Sequence, residues 1–283
     1  MSSATALHRR SDRAHPARAA TPSSRLVSAR RLAGQLLCVV VLIGLWQALV
    51  ASGTVSSDTL ARPTAVARSL GHLVRTSALW STVGDTAHTW IIGLLISVVV
   101  AIPVGLVLGA SDLLYRMFRV AIDFLRTIPP VVLIPLALLL YGATEKMVLV
   151  LVLFGAIWPM MLQTMYGFHQ VDPVARDVAR SYRLRRRDVV RSLVLPSAAP
   201  FIATGIRIAA TISLLLVIGA ELLGGAPGIG SEIALAQQGH DVARMYAFVI
   251  VAAVLGVVLN LAMINAERRL LSWHPAHRAR NAR

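Results

Sequence analysis

Six apolar stretches of 18 to 25 residues alternate with polar segments along this 283-residue chain. A helix of about 20 apolar residues crosses the roughly 30 Å hydrocarbon core of a bilayer. The pattern therefore predicts an all-α polytopic membrane protein with six transmembrane helices. The predicted spans cover residues 32–51, 86–110, 127–144, 147–168, 201–223 and 245–266.

Prolines and glycines mark irregular points in this pattern. Pro103 falls inside the second span, where neighbouring helices can satisfy the freed backbone groups. Pro129 and Pro130 break the third span near its start. Residues 224–230 contain four glycines and cannot form one regular helix, so they begin a connector that ends near Arg244. We expect short helices at 63–74 and 77–85 and a basic turn at 111–119.

The two ends of the chain are polar. Residues 1–31 are rich in Ala, Ser, Pro and Arg without an apolar period, which indicates a disordered basic tail. A second basic tail covers 267–283, so the transmembrane domain covers 32–266 and contains a long polar loop at 170–200. A signal peptide is the competing interpretation of the N-terminal region, but the run at 32–51 is longer than a signal core and favours an uncleaved span.

Charge orients the predicted helices. The net charge is +15, and 21 of the 28 arginines and lysines lie in the two tails, in 111–119 or in the 170–200 loop. The alternate connectors hold only five, so the positive-inside rule places the loop and both termini in the cytoplasm of a cell-membrane protein. The arginines lie between apolar runs rather than on one soluble face, which argues against a nucleic-acid partner.

Candidate chemistry is sparse. The single lysine, Lys146, follows Thr144-Glu145 and lacks the glycine-rich context of a phosphate-binding loop, so the chain has no ATP site or other cofactor of its own. His274 and His277 favour a solvated tail over a metal site. No set of catalytic residues is present, and the single cysteine, Cys38, excludes an internal disulfide. These features predict a protein that is not an enzyme.

The 170–200 loop contains an amphipathic helix. Asp172 is a suitable N-cap and Pro173 a suitable first helical residue. Apolar side chains then recur on one stripe, which must be covered by the membrane surface or by another protein. The stripe consists of Val174, Ala175, Val178, Ala179 and Tyr182.

This loop resembles the cytoplasmic loop of permease subunits of binding-protein-dependent ABC importers. Their pattern is E-A-A, three residues, G, nine residues and I-x-L-P, and it falls here on Asp177-Val178-Ala179, Arg183, Leu193, Leu195 and Pro196. The resemblance extends over roughly 33–273. The main departure is Arg183 in place of Gly. Either the chain turns there under strain, or the first helix continues through Arg183 and turns near Leu184–Arg185; we expect the second.

The resemblance implies a set of partners. Two permease copies would form the pathway, a separate subunit would bind ATP, and an extracytoplasmic binding protein would deliver the solute. The stretch 126–130 and the pair Ala220-Glu221 are similar to the nitrate, taurine and aliphatic-sulfonate branch, which implies a small anion. Coupling to the ATPase would involve Asp177, Val178, Ala179, Tyr182, Arg183, Leu193, Leu195 and Pro196.

Four charged residues within or beside the spans are candidates for the translocation pathway: Glu221, Arg207, Asp123 and Arg126. Arg207 and Glu221 are about 21 Å apart along a helix and cannot pair. Asp123 can pair with Arg119 and Arg126, and Glu221 either braces the glycine-rich connector or lines the pathway. An ATP-independent transporter or channel, and a scaffold that binds anionic lipid, are the alternative functions.

Overall fold

The structure, a computed structural model, describes residues 24–53, 56 and 59–270 and is all-α over this range, without strands. Short 3₁₀ and π segments at Pro130–Leu133 and Val190–Val194 accompany the α-helices. The α-helices are α1 Ser24–Ala51, α2 Pro63–Leu73, α3 Ser77–Ala110, α4 Asp112–Leu125, α5 Ile134–Tyr141, α6 Glu145–His169, α7 Pro173–Ser181, α8 Arg186–Val189, α9 Leu195–Gly224, α10 Ile229–Gln238 and α11 Val242–Leu270.

Among the described residues, four helical segments are long and apolar enough to cross a membrane: α3, α6, α11 and the run from Arg186 to Gln238 that contains α9. The bent pair α4–α5 makes a fifth if it is one broken span. The described apolar part of α1, Leu37–Ala51, is shorter than this length. The six-span count therefore stays a prediction.

The directions of α3 and α6 show the course of α4 and α5, the pair of helices separated by the bend. α3 and α6 run parallel, because Gly93 lies beside Val152 and Gly109 beside Phe168. The chain must therefore return along the bundle between the end of α3 and the start of α6, and α4 and α5 make this return. Their axes differ by 75°, and the bend falls at the predicted Pro129-Pro130 break.

Some predicted boundaries were wrong. Residues 77–85 are not a separate short helix but the first turns of α3, which continues unbroken through Pro103. The expected turn at 111–119 is mostly helical: only Ser111 is outside α4, and its side chain accepts a hydrogen bond from the Leu114 amide. α1 begins at Ser24, inside the predicted tail, and residues 1–23 and 271–283 lie outside the described residues.

α6 lies at the centre of the bundle between α3 and α9. Small residues allow these helices to approach closely, as is common where helices pack within a membrane. A Cβ added to Gly105 of α3 would lie 2.6 Å from the Met161 carbonyl oxygen of α6, and one on Gly167 would lie 2.9 Å from the Ala198 Cβ of α9. The Trp90 indole N–H of α3 donates to the Ala210 carbonyl of α9 at 2.9 Å.

We call the end of the bundle that carries α7 the loop end and the one that carries α10 the connector end.

The expectation that α7 continues through Arg183 was wrong. α7 ends at Ser181, and Arg183 adopts a left-handed conformation with φ +51°. The Arg183 and Leu184 amides donate to the Arg180 and Ala179 carbonyls at 2.9 and 3.0 Å, which is the Schellman arrangement. These two bonds satisfy helix-end carbonyls and hold the turn at the position where the family pattern has glycine.

We predict that Gly105→Ala destabilises the protein by about 1–3 kcal/mol, because the added methyl meets backbone that cannot move aside. Gly84→Ala, in the same helix with open space around the position, is the control. Thermal unfolding of the purified protein in detergent measures both. Equal melting temperatures for the two variants would contradict the close packing of α3 on α6.

Arg183→Gly should stabilise the loop by up to about 1–2 kcal/mol, because glycine adopts positive φ without the Cβ conflict. Arg180→Gly is the matched control, since Arg180 lies inside α7 and glycine costs about 1 kcal/mol in a helix interior. The melting temperature should rise for the first variant and fall for the second. A fall for both would indicate that the Arg183 side chain itself stabilises the turn.

Candidate functional site

α7 presents the outer part of its apolar stripe to the surroundings. Val174, Val178 and Tyr182 are 69%, 50% and 77% exposed, whereas Ala179 is 6% exposed and faces the rest of the chain. The stripe predicted from the sequence is therefore divided between an inner and an outer face. Large apolar side chains held outward on a short, ordered helix are a feature of surfaces that dock on a partner.

Two contacts hold α7 in place. The Asp172 carboxylate accepts a hydrogen bond from the Val174 amide at 2.9 Å, which confirms the predicted N-cap. The Arg176 guanidinium donates to the Phe168 carbonyl at 3.2 Å and lies 5.1 Å from the centre of the Phe168 ring. Arg176 thus connects α7 to the last turn of α6. The exposed Asp177–Arg180 pair, at 3.3 Å, contributes little by comparison.

The second half of the motif lies inside a helix that continues into the membrane-spanning α9. Leu193 belongs to the π segment, and Leu195 and Pro196 begin α9. The Leu195 amide donates to the Val190 carbonyl, five residues back. Pro196 has no N–H, and its ring would meet the carbonyl of the preceding turn in regular α geometry. The wider π turn accommodates that ring, so α8 and α9 continue as one helix.

Glu221 joins three helices at the connector end. Its side chain is fully buried, and its Oε2 accepts hydrogen bonds from the Thr86 hydroxyl at 3.1 Å and the Gly230 amide at 2.9 Å. The Thr86 hydroxyl oxygen in turn accepts from the Ile229 amide at 2.9 Å. The carboxylate and the hydroxyl together satisfy two amides at the start of α10 and tie it to α3 and α9. Thr86 is a functional candidate that the sequence interpretation missed.

The position of the Glu221 carboxylate explains why the connector contains glycines. Gly225 ends α9 in a left-handed conformation, φ +73°, and Gly228 has φ +149°. A Cβ on Gly228 would collide with the Glu221 carboxylate. The predicted break is therefore confirmed at residues 225–228, whereas Gly224 still belongs to α9 and Gly230 already belongs to α10.

Arg207 and Glu221 have separate partners, in agreement with their predicted separation. Arg207, in the first half of α9, forms an ion pair with Glu267 of α11. The predicted sixth span ended one residue before Glu267, so this partner was missed. Pairing across two helices neutralises both charges at a depth where a lone charge is costly.

Asp123 pairs with Arg119 at 3.6 Å and with Arg126 at 3.2 Å, as the i, i+4, i+7 spacing predicted. The Asp123 and Arg126 side chains are about half exposed and Arg119 is more so, and the three lie along one stripe that runs from α4 to its C-cap, Arg126, before the Pro129-Pro130 bend. The structure therefore brings Asp123 and Arg126 together but places them apart from Glu221 and Arg207. Within the described residues, no cluster of three or more His, Cys, Asp or Glu side chains could hold a metal ion.

Comparisons with known proteins agree with this architecture. The solved inward-facing structure of the MetNI methionine ABC transporter has a chain that matches 68% of this one over 95% of its own length, with a TM-score of 0.58 and 20% identity. At this level of identity, the match shows a common fold.

Sequence relatives are closer. SsuC of Bacillus subtilis, named as an aliphatic sulfonates transport permease protein, is 28% identical over 242 residues, which cover 86% of this chain and 88% of SsuC. The nitrate import permease protein NrtB of Leptolyngbya laminosa is 28% identical over 240 residues, covering 82% and 85%. The profile of the family described as "binding-protein-dependent transport system inner membrane component" matches residues 93–272. The chain therefore belongs to this family of ABC-importer permeases.

Proposed function

We propose that this chain forms the translocation pathway of an ABC importer for a small anion, such as a sulfonate, taurine or nitrate. Two copies would build the pathway, a separate subunit would bind and hydrolyse ATP, and an extracytoplasmic binding protein would deliver the solute. Family membership and the sulfonate and nitrate relatives support this proposal. The outward apolar face of α7 is the observation that supports an ATPase as a partner.

The coupling site combines that outer face with the continuous helix behind it. Val178 and Tyr182 would insert into a groove of the ATPase, in the manner of other helix-in-groove contacts. Asp177, Ala179 and Arg183 would shape the helix and its C-terminal turn. A displacement of α7 would reach α6 through the Arg176–Phe168 contact. Displacement of the second half, Leu193, Leu195 and Pro196, would reach α9 directly, because no loop intervenes.

The proposed orientation in the cell membrane has the loop end in the cytoplasm. The arginines of the loop support it through the positive-inside rule. Helix directions are consistent with cytoplasmic termini: Gly256 of α11 lies beside Leu214 of α9, and the later Glu267 pairs with the earlier Arg207, so α11 runs antiparallel to α9, toward the loop end. Trp46, late in α1, lies 5.9 Å from Tyr246 at the start of α11, so α1 ends near the connector end. The binding protein would then meet α10 and its neighbours.

The four charged candidates contribute to transport in different ways in this proposal. Glu221 is fully buried behind α10 and acts as a positioning residue for the connector end. Arg207 positions α11 against α9 through Glu267. Asp123 and Arg126 are half exposed and are the candidates that can reach a passing anion or the second copy.

The function is tested by reconstituting the chain in liposomes with the ATP-binding subunit and binding protein encoded in the same genome, and by measuring ATP-dependent uptake of radiolabelled taurine, nitrate and an alkyl sulfonate. Uptake of one of these anions that requires all components is the expected result. Uptake that continues without ATP or the ATPase would instead support a channel or secondary transporter.

Val178→Asp should weaken ATPase association at least tenfold, because it places a charge in the centre of a face that must be desolvated. His240→Asp is the control: it adds the same charge at an exposed turn of the connector end, and His240 already has the left-handed φ of +55° that Asp tolerates. Co-purification titrations with the ATPase measure both variants. Unchanged association of Val178→Asp would refute the proposed coupling face.

Glu221→Gln should reduce uptake more than it reduces assembly with the ATPase. The amide can still accept from Gly230 and Thr86, but it adds N–H donors to a site that offers them no acceptor, at a cost of about 1–3 kcal/mol. The site lies at the connector end, far from α7, so association should persist. Wild-type uptake by Glu221→Gln would remove the residue from the transport machinery, and loss of assembly would show a general folding defect.

A further inference from the structure

A cavity of about 730 Å³ lies at the loop end, between the inner face of α7 and the ends of α3 and α6. We call it the loop cavity. Its size is within the range of small-molecule sites, roughly 300–1,000 Å³. Its lining includes Phe168, His169, Arg176, Arg180, Leu184 and Arg186.

The charged residues of the loop cavity are mostly cationic. Three arginines and His169 line it, against one carboxylate, Asp112. Arg176 is held by the Phe168 carbonyl and Arg180 by the exposed Asp177. Within the described residues, Arg186 and His169 have no side-chain hydrogen bond or ion pair. The cavity therefore offers uncommitted donors to an anion, and a planar guanidinium is well suited to bind oxyanions in a bidentate manner.

The remaining wall is apolar. Val189, Val190 and Val194 from the α8–α9 helix line the cavity together with Leu184 and Phe168. Inorganic sulfate or phosphate would leave this surface uncovered. A ligand with an oxyanion head and a short apolar tail matches both parts of the lining.

The ATPase does not compete for this cavity in the arrangement proposed above. Ala179 lines the cavity and is buried, whereas Val174 and Val178 on the outer side of α7 are exposed. The two faces of the same helix can therefore be occupied at the same time. A ligand in the cavity would contact α7, the end of α3, the end of α6 and the start of the α8–α9 helix.

We propose that the loop cavity binds an organic oxyanion, with a sulfonate or phosphate head among the arginines and a short apolar tail against the valines. The bound anion holds α7 against the ends of α3 and α6. If the chain is an importer permease as proposed, this restraint slows the motion that couples ATP hydrolysis to transport, so that an anion on the loop side inhibits further import.

Binding is tested on the purified full-length chain in nanodiscs of phosphatidylcholine, by calorimetric titration with 1-butanesulfonate at constant ionic strength. Saturable binding is expected, and inorganic sulfate should bind more weakly. Arg186→Gln should weaken binding about tenfold, and Arg186→Lys should weaken it less, because the charge remains. Arg187→Gln is the matched control, since Arg187 is exposed and lies beside Arg186 but outside the cavity lining.

Several outcomes decide the proposal. Equal binding by the wild type and Arg186→Gln, or equal losses in Arg186→Gln and Arg187→Gln, would overturn it. Arg180→Gln, a second variant of the lining, guards against a folding defect at 186, and unchanged binding by both would also overturn it. If phosphatidylglycerol added to the nanodiscs displaces butanesulfonate from the wild type but has no effect on Arg186→Gln, the site is confirmed with a lipid as the source of the oxyanion.

The effect of the bound anion on transport is measured in a separate experiment. Butanesulfonate on the loop side should reduce ATP-driven uptake by the wild type at least twofold and leave Arg186→Gln unaffected. Binding without any ATPase association would refute the proposed function and leave the cavity site standing. Binding with association but without inhibition would refute only the restraint on α7.

Discussion

Close contact of α6 with α3 on one side and α9 on the other is the constraint on which the rest of the structure depends. Apolar burial adds little to the association of helices within a membrane, so shape and interhelical hydrogen bonds must hold them. Glycines such as Gly105 and Gly167 bring the backbones together, and Trp90 adds a hydrogen bond from α3 to the Ala210 carbonyl of α9. Once these three helices are fixed, the parallel course of α3 and α6 requires the chain to return through α4 and α5.

The two ends of this helical core differ in how they connect to it. At the connector end, buried hydrogen bonds from Thr86 and Gly230 to Glu221 hold α10 directly against α3 and α9. At the loop end, α7 is held mainly by Arg176, while α8 is a direct extension of α9. An element with few attachments can move as a unit, and an extension of a span can carry that motion inward. The loop end therefore has the attachments that the proposed coupling to an ATPase would need, whereas the connector end is held as a fixed cover.

Local patterns predicted much of this arrangement. Apolar length indicated the four long apolar helices, the Pro129-Pro130 pair located the bend, and spacing alone paired Asp123 with its arginines. The failures came from longer-range or backbone effects. Thr86 and Glu221 are 135 residues apart in sequence, and no local period connects them. Arg183 favours a helix by intrinsic propensity, but two backbone hydrogen bonds at the end of α7 hold it in the turn. The π segment likewise follows from Pro196 only once α8 and α9 are known to be continuous.

The packing of the Glu221 carboxylate on Gly228 has a consequence for how this segment can change over evolutionary time. A side chain at 228 would displace the carboxylate, and a shorter or apolar residue at 221 would leave the amide of Gly230 and the hydroxyl of Thr86 without their acceptor. Neither residue can be replaced alone, because a single replacement at 221 or 228 disrupts the packing or the hydrogen bonds made around the other. Permeases with this connector should thus retain both residues or replace them together, whatever solute they carry.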